Sequence, residues 1–160
     1  MKVRIFTDGA CSDNPGPGGW AAVLNENEGH KIIKGNESST TNNRMELKAV
    51  VESLKKILSV YSNHYPIPQF ELYSDSAYVI NAINCNWIEK WKLNGWKTTK
   101  HEDVKNRDLW EEFYSIREKL RSIKISIVFI KVKGHSGNTF NEMVDKLAKQ
   151  QTEVAKRKNI

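Results

Sequence analysis

Apolar residues recur along this chain with two different periods. Val3, Ile5 and Thr7 alternate with Arg4, Phe6 and Asp8, the two-residue period of a strand with differently occupied faces. A turn-rich stretch follows from Gly9 to Gly19, containing Asn14-Pro15-Gly16-Pro17-Gly18. Trp20 to Leu24 and Lys31 to Lys34 read as two further strands, and the polar segment between them predicts a hairpin. The period then lengthens. A helix is expected from near Asn43, with Val50, Leu54, Ile57, Leu58 and Tyr61 at helical spacing and Pro66 and Pro68 as its stop. Phe70 to Asp75 is a fourth predicted strand, leading into a short helix from about Ser76 to Asn84. Leu109, Phe113, Ile116 and Leu120 mark another helix, and Ile125 to Lys131 a fifth strand. Val144, Leu147, Ala148 and Gln151 mark the last helix, which runs into the basic tail Lys156-Arg157-Lys158.

That order predicts an α/β fold with a mixed five-stranded sheet flanked by helices. Three strands form an antiparallel meander, and two more are parallel, joined by helical crossovers. No repeat, low-complexity run or linker interrupts the 160 residues, so residues 1–160 are expected to form a single domain.

Composition narrows the class. At 39% hydrophobic and 28% charged residues, the chain can build a core and is not of disordered type. The net charge of +6 favours a polyanionic partner, although charge alone does not identify it. Cys11 and Cys85 show neither metal-ligand spacing nor a disulfide framework, which favours a reducing compartment. With the first strand starting near residue 3, no signal peptide is expected, and no stretch is apolar enough for a membrane span. A soluble, cytoplasmic protein, monomeric and without membrane partners, is the expectation.

Four acids change the picture. Asp8 and Asp75 each end a predicted strand, and Glu46 and Asp145 each fall in the predicted first turn of a helix. In open α/β sheets, ligand sites form beyond the carboxyl ends of the strands, where such acids can converge. Each one also has an ordinary structural use. Asp8 precedes Gly9 and Asp75 precedes a helix, as turn and cap residues do. Asn43 and Glu46 have the spacing of a capping box, and Asp145 suits a helix dipole. Yet Glu46 also lies on the core-facing stripe of Val50, Leu54 and Ile57, where an acid is costly without a cation or donor. Converging carboxylates repel unless a cation lies between them, so the four together point to a divalent metal.

His135 sits in the polar loop Lys133-Gly134-His135-Ser136-Gly137, ten residues before Asp145. A loop histidine is ordinarily just solvated, but one flanked by glycines between a strand end and a helix start can also carry protons. From Asn86 to Arg107 the chain holds three of its five tryptophans, Trp87, Trp91 and Trp96, among Lys90, Lys92, Lys97, Lys100, Lys105 and Arg107. Trp87 and Trp91 share a helix face, which serves a buried aromatic stripe as well as a protruding nucleic-acid contact at about 86–107.

Taken together, these residues resemble the ribonuclease H family of type 1, the bacterial kind, from about residue 3 to residue 150. The matching segments are Thr7-Asp8-Gly9, Asn14-Pro15-Gly16-Pro17-Gly18-Gly19, Thr40-Thr41-Asn42-Asn43-Arg44-Met45-Glu46 and Ser74-Asp75-Ser76 with Tyr78. Trp87-Ile88, Gly95-Trp96-Lys97-Thr98, Val104-Lys105-Asn106, Asp108-Leu109-Trp110, Lys133 to Gly137, Asn141-Glu142 and Asp145 complete the set. Their joint order is far more specific than any one of them.

The resemblance implies a fold of the ribonuclease H type and hydrolysis of the RNA strand of an RNA–DNA hybrid, largely independent of sequence. It implies two Mg2+ ions, with Mn2+ as a substitute, held by Asp8, Glu46, Asp75 and Asp145, and 5′-phosphate and 3′-hydroxyl products. By the same resemblance His135 moves protons or helps product leave. Thr41 and Asn106 match the grip on a DNA phosphate, and Cys11, Asn14 and Asn42 match minor-groove contacts. Trp87 matches an aromatic that packs on DNA sugars, and Trp91, Lys92, Trp96 and Lys97 fall in a basic protrusion carried by some members. One position departs: Ala77 stands where the bacterial pattern often has glutamine, which removes one amide contact to the hybrid. Two other readings remain at this point: a non-catalytic nucleic-acid module, and a junction resolvase or integrase core. A binder gains nothing from acids facing a polyanion, and the resolvase-like cores lack the Thr41-Asn42-Asn43 and tryptophan-rich features.

Overall fold

The computed structural model describes residues 1–134 and 138–159. Its elements are β1 (Lys2–Cys11), β2 (Gly16–Glu26), β3 (Gly29–Thr40), α1 (Asn42–Tyr61), β4 (Gln69–Ser74) and α2 (Ala77–Asn84). They continue with α3 (Trp87–Leu93), α4 (Arg107–Ser122), β5 (Ile127–Lys131) and α5 (Thr139–Lys158). The strands form one sheet in the order β3-β2-β1-β4-β5. β1 pairs antiparallel with β2 and β2 with β3, whereas β1 with β4 and β4 with β5 are parallel. This is the expected mixed sheet of a meander followed by helical crossovers.

Several boundaries differ from the apolar pattern. β1 continues through Asp8 and Gly9 to Cys11, opposite Ala21, Trp20 and Gly18 of β2. The ladder is made by backbone groups and asks nothing of the side chains, so glycine and small polar positions extend a strand that periodicity ends at Asp8. α1 begins at Asn42 rather than Asn43, because the Thr41 hydroxyl accepts from the Arg44 amide and so caps the helix. The Asn43–Glu46 capping box therefore does not form, and Glu46 lies in the second turn. α5 starts at Thr139, with the Asn138 side chain accepting from the Phe140 and Asn141 amides, so Asp145 is likewise a second-turn residue.

The helices cover both faces. On one face Leu47, Val50, Leu54 and Ile57 of α1 are fully buried with Val3, Ile5 and Leu72 of the sheet. Each such side chain contributes roughly 1.5–3 kcal/mol by leaving water. On the other face Val144 of α5 packs on Phe6 and Val23. α5 approaches β2 closely because Gly19 has no side chain: a Cβ there would lie 2.6 Å from the Ala148 carbonyl. Among the described residues no helix is long and apolar enough to cross a membrane.

Candidate active site

The parallel pairing of β1 with β4 ends at Phe6 opposite Tyr73. Two residues farther along come Asp8, still in β1, and Asp75, just past the end of β4, so parallel register brings these acids side by side where the ladder stops. Glu46 reaches them from α1, and it does so through Gly9. A Cβ at Gly9 would lie 2.4 Å from both the Glu46 nitrogen and the Met45 carbonyl carbon. Only a residue without a side chain lets the second turn of α1 lie on β1 at this height.

The result is a tight cluster. Asp8, Glu46 and Asp75 each offer a carboxylate oxygen within 4.8 Å of the others. Asp8 and Glu46 are buried, and Asp75 is exposed. Burial pushes the Asp8 carboxyl up to about 7, with Asp75 and Asp145 adding to the rise. Burial, with Asp8 and Asp75 as neighbours, pushes Glu46 well above the usual carboxylate range. One Glu46 oxygen, Oε2, is buried without a hydrogen-bond partner. A buried, unpartnered carboxylate oxygen facing two more acids is what a hard cation satisfies, and an all-oxygen donor set suits Mg2+ or Mn2+.

Among the described residues Asp145, on α5, is not one of the three clustered acids. It lines one cavity with Asp8, Asp75, Lys133, Gly134 and Glu142. Its carboxylate meets the Lys149 ammonium at 3.0 Å, one helical turn on. Gly134 also matters here, since a Cβ on it would sit 3.3 Å from Asp75 Oδ2. His135 lies outside the described residues.

The polar positions flank the acids. The Asn42 amide donates to Asn14 Oδ1 at 3.0 Å, joining the β1–β2 loop to the start of α1. Cys11 lies beside them with its thiol donating to the carbonyl oxygens of Asp13 and Thr40, and burial pushes that thiol up. Thr41 and Asn106 meet through Arg44, whose amide donates to Thr41 Oγ1 and whose guanidinium donates to Asn106 Oδ1 at 3.3 Å. Asp108 holds Arg44 with both oxygens, at 2.9 and 2.7 Å. In sequence, the one signal for Arg44 is a cation placed between a candidate phosphate contact, Thr41, and a candidate metal ligand, Glu46.

The aromatic segment divides. Trp87 at the start of α3 is 39% exposed, and its ring lies 6.4 Å from that of Trp91. Trp91 is half-buried against Trp110, 5.7 Å away. Trp96 is only 8% exposed and packs edge-on against Tyr114. Its ring belongs to the main hydrophobic core and is withdrawn from the surface, which corrects its expected role as a substrate contact. Lys92 lies over the Tyr114 ring, and Lys97 pairs with Asp103 at 2.5 Å. Lys97 is therefore not a free cation, although Lys90, Lys92, Lys100 and Lys105 remain exposed around it.

Comparison with known proteins agrees with this geometry. The RNase H family profile matches residues 1–153. A ribonuclease H of Caldicellulosiruptor saccharolyticus is 50% identical over 149 residues, covering 92% of this chain and 94% of that protein. A ribonuclease H of Acetivibrio thermocellus is 50% identical over 147 residues, covering 92% of each. Among solved structures, LC9-RNase H1, a type 1 RNase H with the type 2 active-site motif, superposes with a TM-score of 0.76 at 23% identity, over 96% of this chain and 73% of that one. LC11-RNase H1 in complex with an RNA/DNA hybrid superposes with a TM-score of 0.71 at 18% identity, over 96% of this chain and 98% of that one. The two structures attest the fold; the family rests on the profile and on the half-identical relatives. By its sequence, its sheet and its acids, the chain belongs to the RNase H family.

Proposed function

We propose that this chain is an endonuclease that hydrolyses the RNA strand of RNA–DNA hybrids, leaving 5′-phosphate and 3′-hydroxyl ends. The observation that carries the reading is the cluster of Asp8, Glu46 and Asp75, with ligand atoms within 4.8 Å and an unsatisfied buried oxygen on Glu46. Two divalent ions, Mg2+ with Mn2+ as substitute, supply an activated water and charge stabilisation at the leaving oxygen. Asp8, Glu46 and Asp75 hold them, and Asp145 adds its carboxylate from α5.

The remaining residues of this chain bind and orient. Thr41 and Asn106 offer neutral donors to a phosphate of the DNA strand, and Arg44, its charge paired by Asp108, holds the two in place. Asn14 uses Oδ1 on the Asn42 amide, which leaves its side-chain N–H groups for the minor groove. The 2′-hydroxyl exposed there distinguishes RNA from DNA. Trp87 offers an exposed aromatic face, and Lys90, Lys92, Lys100 and Lys105 of the 86–107 protrusion offer charge to the duplex backbone. His135 carries protons to or from the reacting oxygens. LC11-RNase H1, which shares this fold, was solved with an RNA/DNA hybrid, which supports the same substrate class here. We take the active form to be a cytoplasmic monomer: Asp8, Glu46 and Asp75 converge within a single fold, and the free cysteines Cys11 and Cys85 suit a reducing compartment.

Strand selectivity tests the reading. A hybrid labelled on each strand in turn, an RNA duplex and a DNA duplex are incubated with the protein and Mg2+. Cuts confined to the RNA strand of the hybrid support it. Equal cutting of the RNA duplex, or cuts in DNA, would refute it.

A further inference from the structure

Asn106 occupies the N-cap position of α4 in the left-handed region (φ 60), yet its side chain makes no capping hydrogen bond. An asparagine there ordinarily accepts from the first amides of the helix. Here both ends of the amide are engaged elsewhere. Oδ1 accepts from Arg44 Nη1, and Nδ2 donates to the Tyr78 hydroxyl at 3.0 Å.

The Tyr78 hydroxyl is itself fixed in direction. It accepts a second bond from Trp110 Nε1 at 2.9 Å and donates to the Lys105 carbonyl at 3.4 Å. An indole N–H can only donate and a carbonyl can only accept, so the hydroxyl hydrogen has one place to go. Both hydroxyl lone pairs then face donors, and the Asn106 group opposite must be its NH2. Arg44, which can only donate, demands oxygen at the other end of the same amide. A flipped amide would set donor against donor and acceptor against acceptor, so the two partners choose one orientation. Trp110 is fully buried, which anchors the relay in the core.

We infer that Tyr78 is a positioning residue for phosphate binding: its hydroxyl orients the Asn106 amide so that one N–H remains available to a phosphate oxygen of the DNA strand. This rests on the proposed function, because it takes the ligand of Asn106 to be that phosphate. Trp110 sets the polarity of the hydroxyl, Tyr78 transmits it, and Asn106 touches the substrate.

The experiment is a steady-state comparison on an RNA–DNA hybrid in Mg2+, using wild type, Tyr78→Phe, Asn106→Ala and the double variant, with folding checked by circular dichroism. Tyr78→Phe is expected to raise KM about tenfold with kcat little changed, the scale of one hydrogen bond to a charged group. In the Asn106→Ala background the same change should have no further effect on KM. Trp110→Phe, which frees the hydroxyl to rotate, should raise KM in the same direction by less. A hybrid with uncharged methylphosphonate links in its DNA strand should erase the difference between wild type and Tyr78→Phe. The inference is overturned if Tyr78→Phe keeps the wild-type KM while Asn106→Ala raises it. It is equally overturned if Tyr78→Phe raises KM as much with alanine at 106 as without. Absence of hybrid cleavage by the wild type would instead strike the proposed function, which keeps the two failures apart.

Discussion

The backbone nitrogen of Glu46 lies 2.4 Å from where a Cβ of Gly9 would be. Glu46 of α1 therefore stands beside Asp8 only because the next residue of β1 has no side chain. Gly9→Ala must push α1 away from the sheet along backbone that cannot yield cheaply. The expected cost is about 2 kcal/mol or more, the upper range for overfilling a packed interior. Because the displaced helix carries Glu46, metal affinity should fall as well. Urea unfolding and calorimetric Mn2+ titration of the variant measure the two effects separately.

Without metal, the acids oppose folding at neutral pH. Asp8 holds its proton up to about pH 7 in the folded chain, against 3.8 ordinarily. Between those values the folded chain binds more protons than the unfolded one, so this group's contribution to stability falls as pH rises through the window. Glu46 shifts in the same direction. Asp8→Asn removes the effect, so in the presence of EDTA its melting temperature should exceed that of wild type at pH 7 by several degrees. At pH 4 the gap should be much smaller. Saturating Mg2+ should raise the wild type above its own metal-free value and leave the variant nearly unmoved. Melting curves at the two pH values, with and without metal, check the set.

Arg44 ties the start of α1 to the start of α4, with Asp108 gripping it and Asn106 accepting from it. Arg44→Ala removes the tie between Thr41 and Asn106 and leaves the clustered acids in place. KM for hybrid should rise about tenfold, and the dependence of binding on salt should change little, because Asp108 already pairs the guanidinium charge. Binding measured in Ca2+ across a salt series reads both.

Two tryptophans of one segment should behave in opposite ways. Trp96, 8% exposed, is a core residue, and Trp96→Ala should cost about 3–5 kcal/mol of stability. Trp87, 39% exposed, should cost little stability when changed to alanine but should weaken hybrid binding severalfold. Denaturation midpoints and hybrid affinities for the pair decide it.

The mixed sheet could be read from the change of period between residues 3 and 61, because burial of one face imposes that period. Asp8 and Asp75 were legible for the same reason: each follows an apolar run whose partner strand is parallel. Glu46 was legible as an acid on a buried stripe. What could not be read is instructive. The ends of β1, β2 and β3 are set by backbone pairing at glycine and polar positions, which leaves no apolar signature. The cap of α1 went to Thr41 rather than Asn43, a choice of geometry between two good cap residues. Trp96 looked like Trp87 in sequence, and only the packing of Tyr114 on it shows that it is core. The roles of Arg44 and Tyr78 depend on helices brought together from distant parts of the chain, so no local pattern could reveal them.

The most direct test of the account is cleavage of a hybrid, labelled in its RNA strand, by wild type and by Asp8→Asn in Mg2+ with enzyme in excess over substrate. The account predicts rapid cutting by the wild type and a loss of about a thousandfold or more in the variant, as expected when a ligand of the metals that activate the attacking water is removed. Equal rates for the two proteins, or no cutting by the wild type, would contradict it.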